Sequence, residues 1–126
     1  MTFERGLQTI VDECGGGLAA ALMGLDGIAV AQVTARAGRD RDDPLGGDAT
    51  AAGIEFGRIL GEMSKAADAL GAGALIESVI SLARIQLIFH AVDEELVLVL
   101  ALRPDGNLGK ARYLIRRQLP GIRAAL

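Results

Sequence analysis

"LVLVLALRPDGNLGKARYLIRR", residues 96–117, decides the fold. From Leu96 to Leu102 odd and even positions are apolar alike, so a strand here hides both faces and belongs in the middle of a covered sheet. Asp105-Gly106-Asn107 then carries turn chemistry, and Asn107 is a candidate N-cap for a helix over the rest of the stretch. In that helix Leu108, Ala111, Ile115 and Leu119 share the inward side and Lys110, Arg116 and Arg117 face solvent. Pro120 is expected to break or kink it. The Gly109-Lys110 pair raises the question of a nucleotide, because a phosphate-binding loop reads Gly-x-x-x-x-Gly-Lys-Ser/Thr. Two positions fail that test: the first glycine is Pro104, which has no N–H, and the magnesium-holding hydroxyl is Ala111. No nucleotide or other cofactor is expected.

Outward from this stretch, residues 2–14 place Phe3, Leu7, Ile10, Val11 and Cys14 at helical spacing, and Gly15-Gly16-Gly17 ends that helix. Residues 18–24 and 28–34 are short apolar runs around Asp26-Gly27, the dipeptide of a tight hairpin. Residues 35–48 mix both charges with three glycines and a proline and predict an exposed, mobile loop without chemistry. A second helix is predicted from Thr50 to Leu70, with Ala52, Phe56, Ile59, Met63 and Leu70 on one stripe. Glu55, Arg58, Glu62 and Lys65 form a charged stripe one turn apart on another side. Residues 74–82 and 84–92 read as two more strands before the central one. Helix, two strands, helix, three strands, helix is an α+β chain built on one antiparallel sheet.

With 126 residues the chain is expected to form one domain, 1–126. Its apolar content is 51% but its aromatic content only 3%, which leaves little for stacking on bases or sugars. Cys14 is the single cysteine, no basic-then-apolar segment opens the chain, and no apolar run approaches the ~20 residues of a spanning helix. A cytoplasmic protein with no membrane insertion is expected. Net charge is −3, yet residues 103–126 hold six basic residues and one acidic, leaving −8 on the first 102. That end suits an acidic partner or subunit better than nucleic acid, given the overall acidity and the lone Tyr113.

The supply of reactive groups is thin. Cys14 falls on an apolar stripe, His90 has no second ligand spaced for zinc, and Asp42-Asp43 and Glu94-Glu95 sit in turns. No catalytic residue and no metal site are expected. The anomaly is the second helix, where Gly53, Gly57 and Gly61 recur every four residues with Ser64 following. Each glycine costs a helix about 1 kcal/mol relative to alanine. Close approach of another backbone, the sheet beneath or a second copy of the helix, is the reason such a stripe supplies.

The element order, "GLDGIAV" at residues 24–30 and the opening stretch together resemble the Roadblock family (dynein light chain 7 type), over essentially the whole chain. The resemblance implies an α-β-β-α-β-β-β-α fold with one five-stranded antiparallel sheet and helices on both faces. It also implies a homodimer in which second helices pack together and third strands pair edge to edge. The implied seam takes Gly53, Phe56, Gly57, Leu60, Gly61 and Ser64 from the helix and Ile76, Ser78 and Ile80 from the strand. Residues 23–30, 106–117 and 122–126 are similar to the shorter branch of the bacterial gliding-polarity regulators, which lacks the C-terminal extension of the longer branch.

The function so implied is a non-enzymatic adaptor in a Ras-like GTPase switch for cell polarity and motility. It would bind a Roadblock-family regulator or an associated response regulator and concentrate at cell poles through its partners. The alternative is a direct GTPase-activating protein, against which Arg112, Arg116 and Arg117 fall on a regular helix rather than a loop able to enter a nucleotide pocket. Two surfaces are candidates for partner binding. One is Leu25, Asp26 and Ile28, since two branched aliphatics are unexpected at a hairpin tip unless they fold back on the first or third helix. The other is the stripe of Glu55, Arg58, Glu62 and Lys65.

Overall fold

The computed structural model describes residues 2–38 and 40–126. Its elements are α1 (Phe3–Glu13), β1 (Gly17–Gly24), β2 (Ala29–Thr34), α2 (Thr50–Ala69), β3 (Glu77–Ser81), β4 (Gln86–Ala91), β5 (Leu96–Leu102) and α3 (Leu108–Ala124). The strands form one sheet in the order β2-β1-β5-β4-β3, and every neighbouring pair is antiparallel. The strand that is apolar on both sides therefore sits in the centre, as its sequence requires. Leu98, Leu100 and Leu102 face a cluster closed by Leu7 and Ile10 of α1 and Ile115 and Ile122 of α3. Val97, Val99 and Ala101 face the opposite cluster, to which α2 contributes Ala52 and Leu60.

The opening stretch is a structural junction. Leaving β5, the Arg103 N–H donates to Gly16 O at 2.8 Å and the Asn107 N–H to Gly15 O at 2.8 Å, so the segment between α1 and β1 clamps the segment between β5 and α3. A Cβ on Gly16 would lie 2.7 Å from the Gly106 Cα, and Gly16 has φ +93°, so only glycine serves there. Asn107 Oδ1 then accepts the Lys110 N–H at 3.0 Å and caps α3.

Four expectations need correction. Pro120 does not end α3, which runs on to Ala124. Ile122 is fully buried, 2.9 Å from where a Cβ of Gly6 would stand, so the last turn is held by packing against α1. The hairpin is not a two-residue turn: Gly24 and Ile28 close a three-residue loop, only Gly27 has positive φ, and the register shifts at Leu22/Met23. The loop expected to be exposed and mobile is exposed at most of its described positions but fastened at its end, since Gln32 and Thr34 both donate to Gly47 O at 2.8 Å and Gln32 Oε1 accepts the Ala49 N–H at 2.9 Å. Finally, the apolar stripe of α2 is not buried as a unit. Ala52, Gly53 and Leu60 are its buried residues, whereas Ile59, Met63 and Leu70 are exposed.

The capping geometry carries a direct test. Asn107→Ala should lower the unfolding free energy by about 1 kcal/mol, and Asn107→Gly by only a few tenths. Urea denaturation followed by circular dichroism measures both; no loss in Asn107→Ala would show that the cap contributes nothing.

Candidate functional site

The three small residues of α2 do different things. Gly53 faces the sheet, where a Cβ would collide with the Met23 Sδ. It is part of the core, and the expectation that places it in a seam between copies is corrected on that ground. Around Gly57 and Gly61 a Cβ would meet nothing within 4 Å. These two glycines, with Ser64, line one wall of a groove of about 600 Å³, with Phe89 and Val97 also lining it and Ile76 and Leu25 at its rim. Phe56 is half-buried, its ring centroid 5.7 Å from that of Phe89, and Leu60 is buried.

Beyond the groove lies β3, an edge strand with an unpaired ladder. Its register with β4 sets Ser78 opposite Phe89 and Ile80 opposite Leu87, so Ser78 and Ile80 share the side of the sheet that α2 covers. Ile76 is 66% exposed, Ile80 is half-buried, and the buried Ser78 Oγ has no hydrogen-bond partner. Buried hydroxyls are ordinarily satisfied. The structure thus brings together Phe56, Gly57, Gly61, Ser64, Ile76, Ser78 and Ile80 as one incompletely closed side of the molecule.

The hairpin tip does not fold back onto a helix. Leu25 and Ile28 are 60% and 67% exposed, the Leu25 N–H donates to Glu95 O at 3.0 Å, and Asp26 Oδ1 accepts the Ile28 N–H at 3.1 Å. The backbone is therefore braced while two aliphatic side chains stand in solvent. Glu55, Arg58, Glu62 and Lys65 are exposed on α2, with Glu62 and Lys65 3.7 Å apart.

Sequence reasoning missed Glu77. Its Oε1 accepts from the Arg112 Nε, a 2.6 Å ion pair from the edge strand to α3, and its Oε2 lies 3.7 Å from the His90 Nε2. His90 Nδ1 is 3.0 Å from the Ala91 carbonyl. The two side chains weighed for nucleophilic chemistry are both buried: His90 lies beside Glu77, and the Cys14 thiol donates to Val11 O at 3.7 Å. Burial pushes that thiol above its usual range, with backbone hydrogen bonds opposing only in part. Among the described residues no group of three or more His, Cys, Asp or Glu side chains could hold a metal, and no helix is long and apolar enough to cross a membrane.

Arg112 is the only donor to the Glu77 carboxylate among the described residues, so Arg112→Gln should lower stability by about 1–2 kcal/mol, discounted because Arg112 is partly in solvent. Adding Glu77→Gln should recover part of that loss in a double-mutant cycle read by urea denaturation. Additive losses would mean that the pair does not couple.

Among solved structures, the chain is similar to MglC from Myxococcus xanthus at 32% identity, covering 100% of each chain with a TM-score of 0.69. It is also similar to the gliding protein MglB from Thermus thermophilus, at 20% identity over 98% of this chain and 87% of that one, TM-score 0.80. A Roadblock/LC7 domain from Streptomyces avermitilis matches at 13% identity over 95% and 93% of the two chains, TM-score 0.77. The last two similarities show the fold alone. No protein-family model and no curated protein matches the chain.

Proposed function

This chain belongs to the Roadblock/LC7 family, and we propose that it is a non-enzymatic homodimeric adaptor of a Ras-like GTPase switch in cell polarity and motility. It forms one domain, works in the cytoplasm, and engages a Roadblock regulator of the MglB kind or its response regulator. Such partners concentrate it at cell poles. The observation that carries the reading is the open surface at Gly57 and Gly61 beside an unpaired edge strand. A glycine stripe with nothing of its own chain above it is a helix cost without an internal return. A second α2 seated there explains the cost. Pairing of two β3 strands would likewise supply the missing ladder and bring a neighbour to Ser78 Oγ.

In this arrangement Phe56, Gly57, Gly61 and Ser64 meet the second copy along α2, Ile76, Ser78 and Ile80 meet it along β3, and Leu60 supports the contact from beneath. The sign of one substitution separates a paired from an unpaired helix. In a lone chain Gly57→Leu with Gly61→Leu enters open space and should stabilise α2 by about 1 kcal/mol per site. In the dimer the same leucines overpack the contact and should cost about 1–3 kcal/mol per site. Light scattering at micromolar concentration and thermal melts distinguish the two; a wild-type monomer, or a stabilised double variant, removes the seam.

Asp26 and Ile28 do not line that groove and Leu25 touches only its rim; the three are proposed to receive the regulatory partner, with the exposed Glu55, Arg58, Glu62 and Lys65 as the second candidate surface. Single-turnover GTP hydrolysis by a Ras-like GTPase from the same genome tests the whole reading. The protein alone should leave the rate unchanged, and it should alter the rate driven by the MglB-like regulator. Leu25→Ala with Ile28→Ala should abolish that alteration at unchanged melting temperature. Acceleration by this protein alone would instead establish a direct GTPase-activating protein.

A further inference from the structure

The outer side of α3 is a row of cations that the fold leaves unused. Lys110, Tyr113, Arg116 and Arg117 are all exposed, Tyr113 to 57%. Among the described residues neither Lys110, Arg116 nor Arg117 forms an ion pair, although the first 102 residues carry a net −8. Arg112 adjoins the row. Its Nε holds Glu77, yet the side chain is still 42% exposed, so the guanidinium keeps donors for a second acceptor. Tyr113 lies in the middle, its hydroxyl 3.5 Å from an Arg117 terminal nitrogen.

We propose that this row is a docking surface for an acidic segment of another protein, distinct from the α2 and β3 side. Three observations select that occupant. Carboxylates match planar guanidinium groups in geometry, and Arg112 already binds one here. An exposed tyrosine among cations supplies a rigid apolar anchor that charge alone does not need. The row from Lys110 to Arg117 spans about 10 Å of helix, the width of a helix or extended chain, and the rest of the molecule is acidic enough to repel a duplex or an anionic membrane plane. Because α3 and α2 cover opposite sides of the sheet, both surfaces can be occupied at once. Arg112 ties this one to the first residue of the edge strand. The proposal stands whether or not the adaptor reading holds.

The experiment is fluorescence anisotropy of a labelled ten-residue glutamate peptide at low salt. Saturable binding is expected that weakens steeply with added salt. Arg116→Glu with Arg117→Glu should weaken it at least tenfold, as should the milder pair Arg116→Gln with Arg117→Gln to a smaller degree. Tyr113→Ser, which changes no charge, should weaken it several-fold. Arg5→Glu with Arg84→Glu alters net charge as much as the first pair and should leave binding intact. Absence of saturable binding, no effect of Tyr113→Ser, or equal loss in the Arg5 and Arg84 variant overturns the proposal. So does tighter binding, lost in the same α3 variants, to phosphatidylserine vesicles or a short DNA duplex. Assembly of the protein alone into species larger than a dimer, abolished by those variants, would make the occupant a further copy of this chain and overturn it as well.

Discussion

Burial of β5 on both faces is the constraint from which the rest follows. A strand with Leu98, Leu100 and Leu102 on one side and Val97, Val99 and Ala101 on the other must have two covers. One cover is thorough: α1 and α3 pack on each other as well as on the sheet, with Gly6 admitting Ile122. The other is a single helix that must travel from the β2 edge to the β3 edge, and it buries only Ala52, Gly53 and Leu60. The same chain that closes one side well leaves Ile59, Met63, Ile76 and Leu82 in contact with water. At about 25 cal/mol per Å² of apolar surface, covering that side is a strong drive for association, which is the physical basis of the proposed pairing.

What the sequence made legible follows from how local the signal is. β5 was readable to the residue because seven apolar positions bounded by turn residues admit little else. Asn107 was readable because a cap acts within one turn of its helix. The interior of α2 was not, because helical period identifies an apolar stripe without saying whether it meets its own sheet or another molecule. Ile59, Met63 and Leu70 carry the same pattern as a core stripe and are exposed. Pro120 misled for a related reason: propensity argues for a break, and tertiary packing of Ile122 outweighs it. At the hairpin, residue types alone left open whether Leu25 and Ile28 fold back, since the answer depends on the Leu25 to Glu95 bond, 70 residues apart in sequence.

Glu77 is the clearest case of a residue whose meaning is absent from its neighbourhood. Within residues 74–82 it reads as an ordinary solvated charge on an edge strand. Only the fold brings Arg112 to it, 35 residues along the chain, and sets His90 opposite it in the β3–β4 ladder. Among the described residues Arg112 bridges α3 to the edge strand, His90 and Cys14 are buried, and the surfaces left open are apolar at α2 and β3 and cationic at α3.

These two kinds of surface suit different tasks. Apolar burial is non-directional and grows with area, so the α2 and β3 side favours a broad, long-lived contact whose specificity comes from the close fit that small residues permit. A cationic row in high dielectric contributes modestly to affinity but steers encounter and discriminates partners by sign, and it responds to ionic strength. Under the proposed function, a molecule that stays assembled while exchanging a regulator would gain by keeping these properties on opposite sides of one sheet. One polar thread between them runs from Arg112 through Glu77 into the edge strand. An acidic segment that drew on the Arg112 guanidinium would therefore act on the strand at which self-association is proposed, and coupling between the two surfaces would follow from that one ion pair rather than from any movement of the core.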